Sequence, residues 1–158
     1  MSVSYLSKEG YEELEQKLNN LVKVRRREIA QQIETARAHG DLKENAEYKA
    51  AKEAQAFNEI QISELSGKLS SARILDYSTV TTDRGCIGTK VTFLDLEYNE
   101  EETYALVAEE EADFSKNKVS VSSPVGKGLV GKAVGDITEI TVPAGTLKYK
   151  ILKIEKAI

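Results

Sequence analysis

The chain has 158 residues, 41% hydrophobic and 30% charged, with a formal net charge of −4, which fits two unequal modules of a water-soluble protein. A single cysteine excludes both a disulfide framework and a thiolate metal site. Lys and Arg number 12 against 13 Asp and Glu up to Ser78, and 10 against 13 beyond it, so neither half binds nucleic acid by charge alone and any such contact is local or partner-assisted. No apolar run approaches the roughly 18 residues of a membrane span, and the opening Met-Ser-Val-Ser-Tyr-Leu lacks the basic and apolar regions of a signal peptide. A cytoplasmic protein with no membrane partner is expected.

The first helix opens with Ser7 as N-cap and with Leu6 and Tyr11 at the positions of a hydrophobic staple. Apolar residues recur at Tyr11, Leu14, Leu18 and Leu21 and, after a charged interruption at Lys23, Arg25, Arg26 and Arg27, at Ile29, Ile33 and Ala36. This is a coiled-coil seam with one phase slip. The interruption reads either as a solvated face or as a contact to phosphate or an acidic partner surface.

Residues 37–48 read Arg-Ala-His-Gly-Asp-Leu-Lys-Glu-Asn-Ala-Glu-Tyr. Gly40 stands where a helix needs a left-handed residue after its end, and Asp41 follows as an N-cap with Glu44 three residues on. An αα-hairpin is expected, with Asp41 and Glu44 projecting from one first turn within reach of one cation or one water. A capping box worth about 1 kcal/mol would explain the pair. So would a share in a magnesium site, since magnesium takes one or two protein carboxylates and completes its shell with water and phosphate. Two carboxylates at a positively polarised helix start form an incomplete site, so the other ligands must come from elsewhere. His39, the only histidine, has no partner for zinc and reads as a C-terminal cation or a turn residue. Arg37 and Lys52 bracket the tip as a small basic patch, open between surface charge and phosphate contact.

The second helix carries Leu42, Ala46, Ala50, Ala54 and Phe57, then Ile62, Leu65, Leu69 and Ala72. Folding about the turn sets residues whose numbers sum to roughly 81 side by side, so Leu21 is expected to face Ile60, and Ile33 the small alanines. Helix signals stop near Leu75–Ser78. Strands follow at Thr79–Thr82, Thr89–Leu94, Thr103–Val107, Lys118–Val121, Ile137–Val142 and Lys148–Ile154, the last two joined by Pro143-Ala144-Gly145. Ser123–Lys132 reads as a capped, glycine-weakened helical turn on the sheet, Glu109–Glu111 as an acidic surface run and Cys86 as a small buried residue. The fold class is a two-domain α+β protein, with an antiparallel coiled-coil hairpin over residues 1–76 and an α+β domain over 77–158.

The stretch Ala-Arg-Ala-His-Gly-Asp-Leu-Lys-Glu-Asn-Ala-Glu-Tyr with Ala50-Ala51-Lys52-Glu53 resembles the tip signature of the bacterial Gre transcript-cleavage factors, of the GreA type. Leu6–Tyr11 is similar to the family's opening, and Ser123–Lys127 with Gly131-Lys132 and Gly135-Asp136 to its C-terminal motif, so the resemblance covers nearly the whole chain. It implies a C-terminal domain like that of FK506-binding proteins. It further implies a monomer that inserts its hairpin into the secondary channel of RNA polymerase and stimulates the polymerase's own cleavage of backtracked RNA. Asp41 and Glu44 would then share Mg2+ with the polymerase aspartates, with no complete active site in the factor alone. Arg37 and Lys52 would face the RNA 3′ end, and Ser123, Pro124, Gly126 and Lys127 would help grip the channel rim. Ala108 stands where the family usually has glycine, and Gly128 where it usually has alanine.

Two other functions are compatible with such a chain. One is a channel-binding inhibitor without cleavage activity, although inhibitory relatives have more heavily acidic tips. The other is a prolyl isomerase, which needs an aromatic-lined cleft in a domain that has no tryptophan and only Phe93 and Phe114 as phenylalanines.

Overall fold

The computed structural model describes residues 3–40 and 45–158, which form two compact units, one built on Tyr11–Ala72 and the other on Ser4–Gly10 with Arg73–Ile158. In the first, α1 (Lys8–Asn20) passes through a π-helical turn (Leu21–Arg25) into α2 (Arg26–Arg37), and α3 (Ala46–Ser71) returns along it. Three cross-arm contacts set the register: Asn58 to Leu21, Glu59 to Arg26 and Asn45 to Ala36. From Leu21 to Ala36 on the first arm the partner position falls from Asn58 to Asn45 on the second, so the arms are antiparallel.

The expected phase slip is the π turn. There the Leu21 carbonyl accepts from the Arg26 N–H, five residues on, and from the Asn58 side chain, whose Nδ2 donates at 3.2 Å. Ile29 and Ala36 on α2 and Ala51, Ile62 and Leu65 on α3 close the seam, with Leu14, Leu18 and Leu69 half-buried. The second arm differs from expectation in its middle. Phe57 is 64% exposed and Ile60 56%, Ala46 and Ala50 face outward, and the residue opposite Leu21 is Asn58, 3% exposed. The widened turn presents the Leu21 carbonyl to the partner arm, where the Asn58 amide gives it a second hydrogen bond beside that of the Arg26 N–H. A polar residue therefore occupies a seam position that hydrophobic periodicity assigns to its neighbours.

In the second unit, β1 (Ser4–Leu6) pairs with β2 (Ala72–Ile74). The main sheet has β3 (Thr89–Asp95), β4 (Glu100–Val107), β5 (Lys118–Ser120), β6 (Ile137–Val142) and β7 (Gly145–Lys156) in the order β5-β4-β3-β7-β6. Only the β4–β5 pair is parallel. The short helix α4 (Pro124–Leu129) contributes Leu129 to a core of Val91, Phe93, Leu106, Ile140 and Ile151, so this half is α+β as expected. The Thr79–Thr82 strand does not form. Asp76 caps a 3-10 turn at Tyr77–Thr79 through the Ser78 N–H and hydroxyl, and local side-chain bonds outcompete the β-branched pattern. Cys86 is only partly buried, its Sγ near the Thr81 carbonyl at 3.7 Å. At Gly128 a Cβ would overlap the Ile140 side chain, so the departure from alanine is matched to a bulky strand neighbour.

The acidic run is not a plain surface feature. Glu109–Glu111 form a 3-10 turn, and the Glu111 carboxylate accepts from both the backbone N–H, at 2.9 Å, and the hydroxyl of Ser7. Ser7 is the N-cap of α1, its Oγ accepting from the Gly10 N–H at 3.0 Å. In an ordinary capping box the third helical residue supplies the carboxylate that takes the cap's own N–H. Here that residue is Gly10, and a distant glutamate supplies the group. A Cβ on Gly10 would collide with the Glu111 carboxylate, which accounts for glycine inside the first turn of a helix. The sign of a mutational cycle tests this arrangement. Gly10→Ala is expected to destabilise the parent but to stabilise a Glu111→Ala background by about 0.5–1 kcal/mol, the normal helix preference for alanine, as read by urea unfolding of the four proteins.

Candidate functional site

The hairpin apex is built from the end of α2 and the start of α3. The His39 N–H donates to the Ala36 carbonyl at 3.1 Å and the Gly40 N–H to that of Arg37 at 3.3 Å, while Gly40 has φ +104, the left-handed region expected of a glycine that ends a helix. Asp41 and Glu44 lie outside the described residues, as do Leu42 and Lys43. On the far side Asn45 caps α3, its Oδ1 accepting from the Tyr48 N–H at 3.0 Å. The cap of α3 (Ala46–Ser71) is therefore Asn45, and the cap expected at Asp41 lies outside the described residues. Asparagine caps about as well as aspartate, so the spacing from Gly40 does not single out the residue that caps α3. Asn45 was the residue missed. Its signal was the position immediately before the Ala-Glu-Tyr opening of the helix.

Arg37 and Lys52 are both exposed, Arg37 as the last residue of α2 and Lys52 with its Nζ donating to Gln55 at 2.8 Å. Arg37 follows Arg26 by about three full turns of α-helix, and Lys52 precedes Glu59 by about two, so each shares a face with one member of the Arg26–Glu59 pair. That pair is a bidentate bridge with both N···O distances 2.8 Å. Arg37 and Lys52 consequently stand on the same flank of the hairpin. The bridge raises the Arg26 pKa and lowers that of Glu59, chiefly through the hydrogen bonds themselves, and Arg25 pairs with Glu28 at 3.2 Å. Two of the interrupting cations are thus paired within the hairpin, as in the solvated-face reading. His39 Nε2 lies 3.5 Å from the Glu47 carboxylate, both exposed, a pair that is ionic only when the imidazole is protonated.

In the second unit, Ser123 caps α4 through the Gly126 N–H at 3.0 Å and donates to the Ser120 carbonyl at 2.7 Å. Any side chain at Gly126 would overlap that carbonyl. These two motif residues hold the helix in place, which leaves Pro124 and Lys127 as the exposed members. Phe93 packs edge-on against Tyr104 and stacks on Tyr149, and all three rings are buried in the core. Burial, the hydrogen bond to Glu102 and nearby negative charge raise the Tyr104 pKa to about 12.

Two family models match the chain: the N-terminal model of the transcription elongation factors over residues 4–74, and the GreA/GreB C-terminal model over residues 80–156. The transcription elongation factor GreA of Acetivibrio thermocellus is 48% identical over 151 residues, covering 96% of this chain and 95% of its own. That of Prosthecochloris aestuarii is 50% identical over 152 residues, with 95% of each chain covered. The chain belongs to the GreA/GreB family of transcription elongation factors. The crystal structure of GreA factor homolog 1 from Thermus thermophilus is also similar to it, with 29% identity, 98% of this chain and 99% of that one covered, and a TM-score of 0.45. Among the described residues of this family member, no helix is long and apolar enough to cross a membrane and no group of three or more His, Cys, Asp or Glu gathers to hold a metal.

The position of the cap separates the roles of neighbouring residues. Asn45→Ala is expected to destabilise the hairpin by about 1 kcal/mol, whereas Asp41→Ala should change it by less than about 0.5 kcal/mol. Thermal melting of the two variants checks this.

Proposed function

We propose that this elongation factor enters the secondary channel of RNA polymerase hairpin-first and stimulates the polymerase's own cleavage of backtracked RNA. The observation that supports the reading is the Asn45 cap: α3 takes its N-cap from Asn45, so the start of that helix does not call on Asp41. The donor set fits magnesium in part, since magnesium binds through one or two carboxylates and takes its remaining ligands from other sources. Asp41 and Glu44 would hold the ion together with the polymerase's carboxylates and orient the attacking water. Magnesium supplies the positive charge that stabilises the attacking and leaving oxygens of the displacement. On this reading the factor is no enzyme alone, acts as a monomer, and works in the cytoplasm with the polymerase.

Arg37 and Lys52, on one flank near the apex, have the charge to meet the phosphates at the nascent RNA 3′ end. Ser123 and Gly126 shape the surface turn that Pro124 and Lys127 would present to the channel rim. The hairpin's paired cations are less suited to RNA contact, because each must first break a bridge.

Cleavage of RNA in backtracked polymerase complexes, with and without the protein, tests the whole reading. Stimulated cleavage is expected; suppressed cleavage would identify the channel inhibitor instead. In the same assay Asp41→Asn is expected to lose about a hundredfold in stimulated rate at limiting magnesium, to recover partly as magnesium rises and to keep its affinity for polymerase, because it removes one anionic ligand of the shared ion. Parent-level cleavage by Asp41→Asn would remove Asp41 from the site. A second measurement addresses the flank. The Arg37→Ala, Lys52→Ala double variant should melt like the parent and cross-link more weakly to the RNA 3′ end, and unchanged cross-linking would reduce the patch to helix-surface charge.

A further inference from the structure

We propose that the flank of the hairpin opposite Arg37 and Lys52 is a docking groove for a basic helix of the polymerase, one that carries two cationic side chains about two turns apart. The inference rests on the channel-entry reading above and adds a protein contact to it. Between α2 and α3 lies an open groove of about 660 Å³, floored by the buried Ala36 and Ala51 and edged by Ala50. Gln31, Gln32 and Thr35 stand along its wall, and its carboxylates are Glu28 and Glu47. No Lys or Arg is among the described residues that line it.

Helix geometry separates this groove from the flank proposed to meet RNA. Counted round α2 from Ala36 at 3.6 residues per turn, Arg26 and Arg37 lie roughly 80–100° to one side, and Glu28 and Thr35 as far to the other. Counted likewise round α3 from Ala51, Lys52 and Glu59 fall on one side, Glu47 and Ala50 on the other. The Arg26–Glu59 bridge joins the first sides of the two helices, so the groove is the opposite flank. A partner seated there does not compete with an RNA end beside Arg37 and Lys52.

Three features select the occupant. Alanine at 36, 50 and 51 lets a third helix approach closely, because the distance between packed helices is set by the side chains at the contact. Amides and a hydroxyl along the wall suit a polar helix over an apolar one. Charge and spacing supply the third. With Ala36 level with Asn45 and Arg26 with Glu59, Glu28 and Glu47 stand roughly 9–15 Å apart along the hairpin, and cations seven residues apart on a helix are about 10 Å apart before their side chains reach out. Glu28 lies 3.2 Å from Arg25 and Glu47 3.5 Å from His39, both exposed pairs of the weak kind that a partner's cation displaces.

The full chain is titrated into backtracked polymerase complexes, and the factor concentration giving half the maximal cleavage rate is read beside the maximal rate itself. The Glu28→Gln, Glu47→Gln double variant is expected to raise the half-saturating concentration on the order of tenfold, more at low salt than at high, with the saturating rate within about twofold of the parent's. Ala50→Leu keeps every charge and narrows the groove, and it should raise the half-saturating concentration likewise. Glu34→Gln removes a carboxylate from the side of α2 away from the groove and should change neither quantity. Parent-level half-saturation in the double variant or in Ala50→Leu, an equal loss in Glu34→Gln, or a defect confined to the saturating rate overturns the proposal. Tighter binding by the double variant overturns it as well, because the groove would then face RNA or an acidic wall. Should the double variant melt below the parent, Ala50→Leu decides alone. Failure of the parent protein to stimulate cleavage brings down the proposed function itself, a result distinct from a parent that cleaves and groove variants that cleave at the same concentrations.

Discussion

The hairpin depends on closing backbone hydrogen bonds at the two places where its helices are irregular. A straight pair of α-helices satisfies its own ladder, but the first arm carries a π turn and the two arms must end and restart at the apex. Both gaps are filled from α3 by an asparagine, Asn58 at the turn and Asn45 at the apex. Each donates its side-chain amide to a carbonyl of the opposite arm. A hydrophobic residue at position 45 would take the capping acceptor from the Tyr48 N–H, and one at position 58 would leave the Leu21 carbonyl with the Arg26 N–H alone. The register of the arms follows, and with it the side of the hairpin on which each charged residue stands.

That dependence explains which parts of the molecule were legible in the sequence. The antiparallel hairpin, the phase slip, the glycine at the apex and the change to strands near Leu75 follow from periodicity and from two or three special residues, signals that tertiary contacts reinforce. The capping residue, the outward Phe57 and Ile60 and the missing strand at Thr79–Thr82 follow from a different source: competition between polar side chains for particular backbone groups. Hydrophobic pattern is blind to that competition, because it treats asparagine and aspartate as surface residues wherever they fall. Asn58 is the clearest instance, a polar residue holding a seam position because an irregular helix elsewhere in the chain offers it a carbonyl. The Gre resemblance supplied the candidate site ahead of geometry, on residues that lie outside the described segments.

The second unit shows the same logic over longer distances. A reading of Glu109–Glu111 as solvated charge is the natural one for three consecutive glutamates, yet Glu111 completes the cap of a helix that begins more than a hundred residues earlier. No local pattern announces this. The one trace in the sequence is negative, a glycine in the first turn of a strongly helical segment, where alanine or glutamate would be favoured by propensity. Gly126 and Gly128 belong to the same class, each small because another group already occupies the space of its side chain, a backbone carbonyl in one case and Ile140 in the other.

Charge distribution along the hairpin gives the proposed function its physical shape. The protein is acidic as a whole, so long-range attraction to RNA is absent and contact must be made at short range, inside a Debye length of about 8 Å at physiological salt. Midway along the flank, Arg26 is neutralised by Glu59 through two hydrogen bonds, and a phosphate would have to displace a bidentate carboxylate to reach it. Towards the apex the same flank carries Arg37, which makes no ion pair with a described residue, and Lys52, whose Nζ donates to the neutral amide of Gln55. On the proposed reading, Arg37 and Lys52 are therefore the cations of that flank that meet a phosphate without first giving up a bidentate carboxylate. The proposed function would use that difference: an RNA end arriving near Arg37 and Lys52 would find charge available, whereas one lying along the arms would have to compete with Glu59 for Arg26.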